Sequence, residues 1–378
     1  MDTNTSYLPF TRPTLDEETI QGVADVLRSG WITSGPMVEQ FEKGLTEYHG
    51  GKRYLRTFLH ATGAMEECLV MAGIGPGDEV IVPAMTFAAT ANVVVRVGAK
   101  PVLVDVDLKS RSMLMDQAAA AITPKTRAIM PVHLNGMAAD LDAVYALAKK
   151  HDLRVIEDAA QAIGTGYKGR RVGSFGDMVV FSFHANKNLT TIEGAAVSVA
   201  TAEEAKRLEI LRFHGITKFP DGTMDVSEAA SKHNMTDVAA RVGIGQLKHL
   251  DEFNKKRRAL AHRYLELLAD ESLAVLPAKG DEGHSWHMFT PLPLYKKYGL
   301  DRNTLKQRMH AAGIGLGIHY QALNQFSFYK KMGYKAGQFP NAERIGSETL
   351  TFPLFPGMQM SDVDRVCGAL KHCLEQKA

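Results

Sequence analysis

Hydrophobic and polar positions along this chain follow two alternating rhythms. Short apolar runs rich in β-branched residues occur at 78–83, 101–105, 128–133, 153–158, 178–183 and 195–199, bounded by glycine, proline or acidic residues. Runs of this length and composition predict buried strands. Between them the apolar positions recur at helical spacing. Ile20, Val23, Ala24 and Leu27 share one face, as do Leu141, Val144, Leu147 and Ala148, and further helices are expected over 38–48, through Met65, Leu69 and Val70, and up to Val95. Strands alternating with helices imply right-handed crossovers and a mostly parallel sheet covered on both sides. Thr14 with Glu17 has the form of a capping box, which places the first helix start at Thr14.

A long helical stretch over 242–268 reads as a bridge. Beyond it, 285–289, a helix over 303–312 and a run at 316–320 suggest a smaller α+β unit. The expected division is a large domain over 1–250 and a small C-terminal domain over 251–378.

Composition narrows the function classes. The chain has 378 residues, enough for two domains with a large core, and a formal net charge of +2. Its longest basic run, Lys255-Lys256-Arg257-Arg258, lies in the helical bridge and reads as a solvated face, so no nucleic-acid partner is expected. Cys68, Cys367 and Cys373 form neither a metal-ligand spacing nor a disulfide framework, which points to a reducing compartment and no metal. The N-terminus lacks an export pattern and no apolar run would span a bilayer, so no membrane association is expected and the expected location is cytoplasmic.

The chemistry concentrates on one turn. The apolar run ending at Phe183 leads into His184-Ala185-Asn186-Lys187-Asn188, and a second apolar run leaves at Ala195. A lysine held between two buried strands loses solvation, which lowers its ammonium pKa and makes it nucleophilic enough to form a Schiff base. A surface lysine in a hairpin is the simpler alternative. Twenty-nine positions earlier, Asp158 closes a β-branched run and precedes small residues, so its carboxylate is expected at the C-terminal edge of a strand, where open α/β sheets bind ligands. Alternatively it caps a helix. A strand-edge aspartate together with such a lysine suits pyridoxal phosphate: the lysine holds the aldehyde and the carboxylate keeps the pyridine nitrogen charged. His60-Ala61-Thr62-Gly63-Ala64 opens a helix with small residues and a hydroxyl, a form that can bind an anion.

The segment 157–194 resembles the DegT/DnrJ/EryC1/StrS sugar aminotransferases, a branch of the fold-type I pyridoxal phosphate enzymes, and the likeness runs over essentially the whole chain. Within that family it looks nearest to the branch making UDP-4-amino-4-deoxy-L-arabinose for lipid A. The resemblance implies an aspartate-aminotransferase-like large domain with a mostly parallel seven-stranded sheet, plus a small α+β domain. It implies Lys187 and Asp158 as catalytic residues. It also implies a cofactor site of Thr62, Gly63, Phe87, Gln161 and Ser182, with Phe87 stacking on the pyridine ring and Ser182 binding phosphate. Asn234 would reach the cofactor of a neighbouring subunit in a homodimer with shared sites. Trp31, His184, His319 and Tyr320 resemble substrate-side residues. The implied reaction moves an amino group from L-glutamate to a keto sugar, expected to be a nucleotide-linked 4-keto sugar. The chain departs from the family pattern at His60, Ala195, Ser231, His233 and Gln321. Three rivals stay open: a dehydratase of the family, which Lys187 opposes, a sensor or regulator that does no catalysis, and an aminotransferase whose ketone carries no nucleotide.

Overall fold

The computed structural model describes residues 7–376 apart from residue 271. Helix α1 (Glu17–Ser29) begins two residues later than its sequence suggested: Asp16, not Thr14, is the N-cap, and its carboxylate accepts the Thr19 N–H at 2.8 Å. Asp16 also meets His249 at 2.8 Å, a partner that Thr14 would lack. Gly30, left-handed at φ 75°, ends the helix. Helix α2 (Pro36–Tyr48) follows, then strand β1 (Tyr54–Phe58), α3 (Ala61–Met71), β2 (Glu79–Pro83), α4 (Ala89–Arg96), β3 (Lys100–Val104), α5 (Met115–Ala120) and β4 (Thr126–Ile129). The chain continues through α6 (Leu141–His151), β5 (Arg154–Asp158), a hairpin of β6 (Gly166–Tyr167) and β7 (Arg170–Arg171), β8 (Met178–Ser182), β9 (Ala195–Val199), α7 (Ala202–Leu211) and α8 (Asp237–Leu267).

Seven strands form one sheet in the order β1-β9-β8-β5-β4-β2-β3. Only β9 runs against the others; it is antiparallel to both β8 and β1. The fold is therefore the α/β, mostly parallel architecture expected of fold type I. Two consequences position the site. Strand β8 pairs in parallel with β5, with Asp158 opposite Val180, so their C-terminal ends lie side by side. Because β9 returns antiparallel to β8, the connection over 183–194 is a turn at that same edge, and it carries Lys187. The starts of α3 and α4 follow β1 and β2 and reach this edge too.

Every residue of β2, β8 and β9 is buried, as two-sided coverage requires. One face packs Phe58, Met65, Leu69, Val93 and Leu208; the other packs Phe41, Leu45, Phe181, Phe183 and Leu250. A further cluster gathers Tyr264, Trp286, Phe289, Phe352, Val363 and Leu370, with Leu8 from the N-terminal segment. The 31-residue helix α8 runs unbroken across position 250, where the sequence pattern set a domain border, and its packing changes along its length. Ala240 and Leu250 join the core under the sheet, while Leu260, Ala261 and Tyr264 join the C-terminal cluster. The run at 316–320 is not a strand; it makes a single bridge, Gly317 to Thr351. Among the described residues no helix is long and apolar enough to cross a membrane, and no cluster of metal-ligating side chains occurs. Cys68, Cys367 and Cys373 are free and buried.

Candidate active site

A cavity of about 350 Å³ opens at the C-terminal edge of the sheet. Lys187 lies in the tight turn after β8, its N–H donating to the His184 carbonyl at 2.8 Å. Protein packs closely around its ammonium, and this desolvation outweighs the opposing pull of Asp158, bringing the pKa down to about 8. Asp158 is 5 % exposed, and its Oδ2 accepts the Thr90 hydroxyl at 2.7 Å while Oδ1 accepts the Ala160 N–H at 3.1 Å. The simpler readings of both residues, a surface lysine and a helix cap, do not survive this geometry.

Gln161 is held from both sides. Its Oε1 accepts the Asn135 N–H at 2.7 Å and its amide donates to the Tyr320 hydroxyl at 2.9 Å. Burial, with the nearby Asp158 charge, raises the Tyr320 phenol pKa, so the group stays protonated. Phe87, just past β2, stays 56 % exposed, and its ring centroid lies 5.5 Å from that of Tyr320. Ser182, at the end of β8, and His184 border the same space. His319 is stacked on Phe10 with centroids 5.1 Å apart and meets the Thr351 hydroxyl at 2.8 Å through Nδ1. Burial, then the Lys187 charge, brings its pKa down to about 4, so this imidazole is neutral at neutral pH.

The N-terminus of α3 closes one end of the cavity with His60, Ala61 and Thr62. His60 is the N-cap: its Nδ1 accepts the Gly63 N–H at 2.9 Å. Gly63 is thus not among the cavity-lining residues, and the N–H expected to face a ligand is already taken. Those of Ala61 and Thr62 are left by the geometry of a helix start. A phenyl face, a helix N-terminus with a neighbouring serine, a buried carboxylate and an amine of lowered pKa make a donor set that fits pyridoxal phosphate, with its ring, phosphate, pyridine nitrogen and aldehyde.

Two expected residues lie elsewhere. Trp31 is 60 % exposed, with its indole over Gly35, and does not border the cavity of its own chain. Its loop is drawn away by Ser34, which donates to the Met235 carbonyl at 2.6 Å, and by Asp237, which accepts the Gly35 and Val38 N–H groups at 2.8 and 3.0 Å. Asn234, 8 % exposed, bonds Ser34 and Lys232 and likewise lies outside the cavity. The structure adds residues that the sequence did not signal. Thr90 reads locally as an ordinary helix residue, and only the packing of β2 against β4 and β4 against β5 brings it to Asp158. Asn135, in a left-handed conformation at φ 61°, is placed to direct its N–H at Gln161.

Fold and site together define a pyridoxal-phosphate-dependent aminotransferase of fold type I. The family model described as the DegT/DnrJ/EryC1/StrS aminotransferase family matches residues 13–371, and the chain belongs to that family. It is 38 % identical over 376 residues to the spore coat polysaccharide biosynthesis protein SpsC of Bacillus subtilis, covering 97 % of this chain and 96 % of that protein. Spr1654 of Streptococcus pneumoniae, provisionally named a sugar aminotransferase, superposes in its PMP form with a TM-score of 0.91 at 34 % identity, over 98 % of both chains, and a PLP form matches as well. Helicobacter pylori PseC, an aminotransferase involved in the biosynthesis of pseudoaminic acid, gives a TM-score of 0.92 at 25 % identity, covering 98 % of this chain and 100 % of its own.

Proposed function

We propose that this aminotransferase carries an amino group from L-glutamate to a keto sugar, and that the sugar is a nucleotide-linked 4-keto sugar. The observation that carries the reading is one cavity holding Lys187, Asp158, Phe87 and the start of α3, in a chain whose relatives named above include sugar and polysaccharide enzymes. Pyridoxal phosphate, when bound, supplies the aldehyde that exchanges for an amine and a ring that takes up electrons. The chain's own residues do the rest. Lys187 Nζ, neutral above about pH 8, takes the proton from the donor's Cα and returns it later. Asp158, oriented by Thr90 and Ala160, supplies the negative charge that keeps the pyridine nitrogen protonated. Thr62 and Ser182 would hold the phosphate, Phe87 would cover the ring, and Gln161 would meet its edge. His184, His319 and Tyr320 face the incoming sugar. Asn234, buried yet outside its own cavity, serves the site of the partner in a homodimer. Trp31 is assigned with it to the substrate approach between subunits.

Absorbance of the holoenzyme with L-glutamate tests the donor half. The visible band should give way to the near-ultraviolet band of the aminated cofactor, and a spectrum that glutamate leaves unchanged would sink the donor reading or favour the sensor. Mass spectrometry of the products then tests the acceptor. The UDP-linked 4-keto pentose behind UDP-4-amino-4-deoxy-L-arabinose is the first to try, beside other UDP- and dTDP-linked 4-keto hexoses. Equal turnover of the same keto sugar without its nucleotide would replace our acceptor with the unlinked ketone. The lysine has its own pH test. A depressed pKa means that the free amine forms at lower pH than in an ordinary lysine. Modification of Lys187 in the cofactor-free protein by an amine-reactive aldehyde should therefore rise with pH and level off above about 8. A rise continuing beyond pH 10 would show an ordinary solvated lysine.

A further inference from the structure

Apart from the catalytic cavity, a second hollow of about 460 Å³ lies between the β6–β7 hairpin, the middle of α8 and the loop at Gly283. Four cations border it, Arg170, Arg171, Lys255 and Arg258, against two carboxylates, Asp251 and Glu282. Their pairing is uneven. Arg171 is engaged: it meets Asp251 at 3.0 Å and lies over the Tyr48 ring at 4.1 Å. Asp251 is also taken by the Tyr48 hydroxyl at 2.6 Å. Arg170 stacks on Phe175 at 3.9 Å, and among the described residues Arg170, Lys255 and Arg258 have no carboxylate within ion-pair distance. Arg258 is only partly exposed, and its Nε is buried without a hydrogen-bond partner. Its positive charge reaches inward: His284 and His262 both have lowered pKa values, first through burial, with Arg258 adding to the effect at His284 and Lys279, then Arg258, at His262.

The floor of the hollow is firm and backbone-lined. Gly164 borders it with φ +78°, and a Cβ there would come within 2.4 Å of Asn254 Nδ2. Asn254 is 3 % exposed, donates to the Ile163 carbonyl at 3.2 Å, and accepts from Asn188 at 2.8 Å. Asn188 adjoins Lys187, so one buried amide underlies the hollow and braces the catalytic turn.

We propose that this hollow binds a compact, multiply charged phosphate group at a site separate from the cofactor. Four cations against two carboxylates, one of these already paired with Arg171, border a space large enough for a phosphate or diphosphate, and guanidinium groups favour such oxygens. The proposal is independent of which sugar the enzyme aminates. Free phosphate and the diphosphate of a nucleotide share this chemistry.

The test is isothermal titration of holoenzyme at low salt, with its own phosphate cup filled by cofactor, using inorganic pyrophosphate and, separately, UDP. Pyrophosphate should bind saturably. The exposed-residue variant Arg170→Gln/Lys255→Gln should weaken it by about tenfold or more while leaving the cofactor spectrum unchanged, and Arg258→Gln should weaken it further. Loss of UDP binding in the same variants would assign the site to a nucleotide diphosphate, and retained UDP binding would assign it to free phosphate. Absence of saturable pyrophosphate binding, or an affinity that all three substitutions leave unchanged, would overturn the proposal.

Discussion

Glu157 and Asp158 are consecutive buried carboxylates on β5, and strand geometry sends them to opposite faces of the sheet. Glu157 is 0 % exposed and fully engaged: it accepts the Tyr145 hydroxyl at 2.5 Å and His133 Nε2 at 2.9 Å. The His133 tautomer follows from its other nitrogen, which accepts the Ala139 N–H at 3.0 Å, so the ring proton sits on Nε2 and points at Glu157. Burial, then the Glu157 charge, raises the Tyr145 phenol pKa and keeps it a donor. Asp158, by contrast, is tied at both oxygens by one hydroxyl and one N–H yet still borders an open cavity. A closed polar network holds a fold together, and a carboxylate left facing a cavity is available for chemistry. Two acids that look alike in the sequence thus differ in access, one closed inside the fold and the other bordering the cavity, across a single strand.

Substitutions can break or sharpen that contrast. The largest effect is expected at the cavity's lysine: Lys187→Ala should lower aminotransfer by at least about 10³-fold with the melting temperature little changed. Asp158→Asn keeps the shape and removes the charge, and kcat should fall by about 10²-fold while stability holds. Glu157→Gln should do the reverse. Its amide keeps one oxygen where two donors need acceptors, so either the His133 N–H or the Tyr145 hydroxyl is left unmet, and urea titration should show a loss of about 1–3 kcal/mol with kcat near normal. If Glu157→Gln cuts activity as deeply as Asp158→Asn, the division between the two faces is wrong. The smallest effect is expected for Thr90→Val, nearly isosteric, which removes one bond to a charged oxygen and should cost about tenfold in kcat. An unchanged rate would show that Ala160 alone orients Asp158.

The parts of this picture that could be read from sequence are those written locally. The runs that became β5, β8 and β9 are legible because burial on both faces leaves an unbroken apolar stretch; Asp158 is legible because it closes one, and Lys187 because it lies in the polar turn between two. Strand β1 was missed: Tyr54, Arg56 and Thr57 interrupt its apolar pattern, and its pairing with β9 spans far-separated parts of the chain. The sequence places the first helix start at Thr14 because Thr14 and Asp16 can both cap, and Asp16, which also meets His249, is the residue that does. Thr90, the Glu157 network and the bond between His60 and Gly63 depend on which side chains the fold brings together, and no spacing announces them. Trp31 is placed at the substrate side by resemblance alone, and no local pattern shows that its loop is held by Asp237, about two hundred residues away in sequence, outside the cavity of its own chain.

Helix α8 also has a mechanical meaning. At 31 residues it is about 46 Å long. With one end seated under the sheet and the other in the C-terminal cluster, it spans both cores as one rod, and by simple trigonometry on that length a tilt of about 5° would sweep its far end through about 4 Å. Because the helix is unbroken, such a tilt would carry Leu260, Ala261 and Tyr264, and the cluster packed on them, together as one piece.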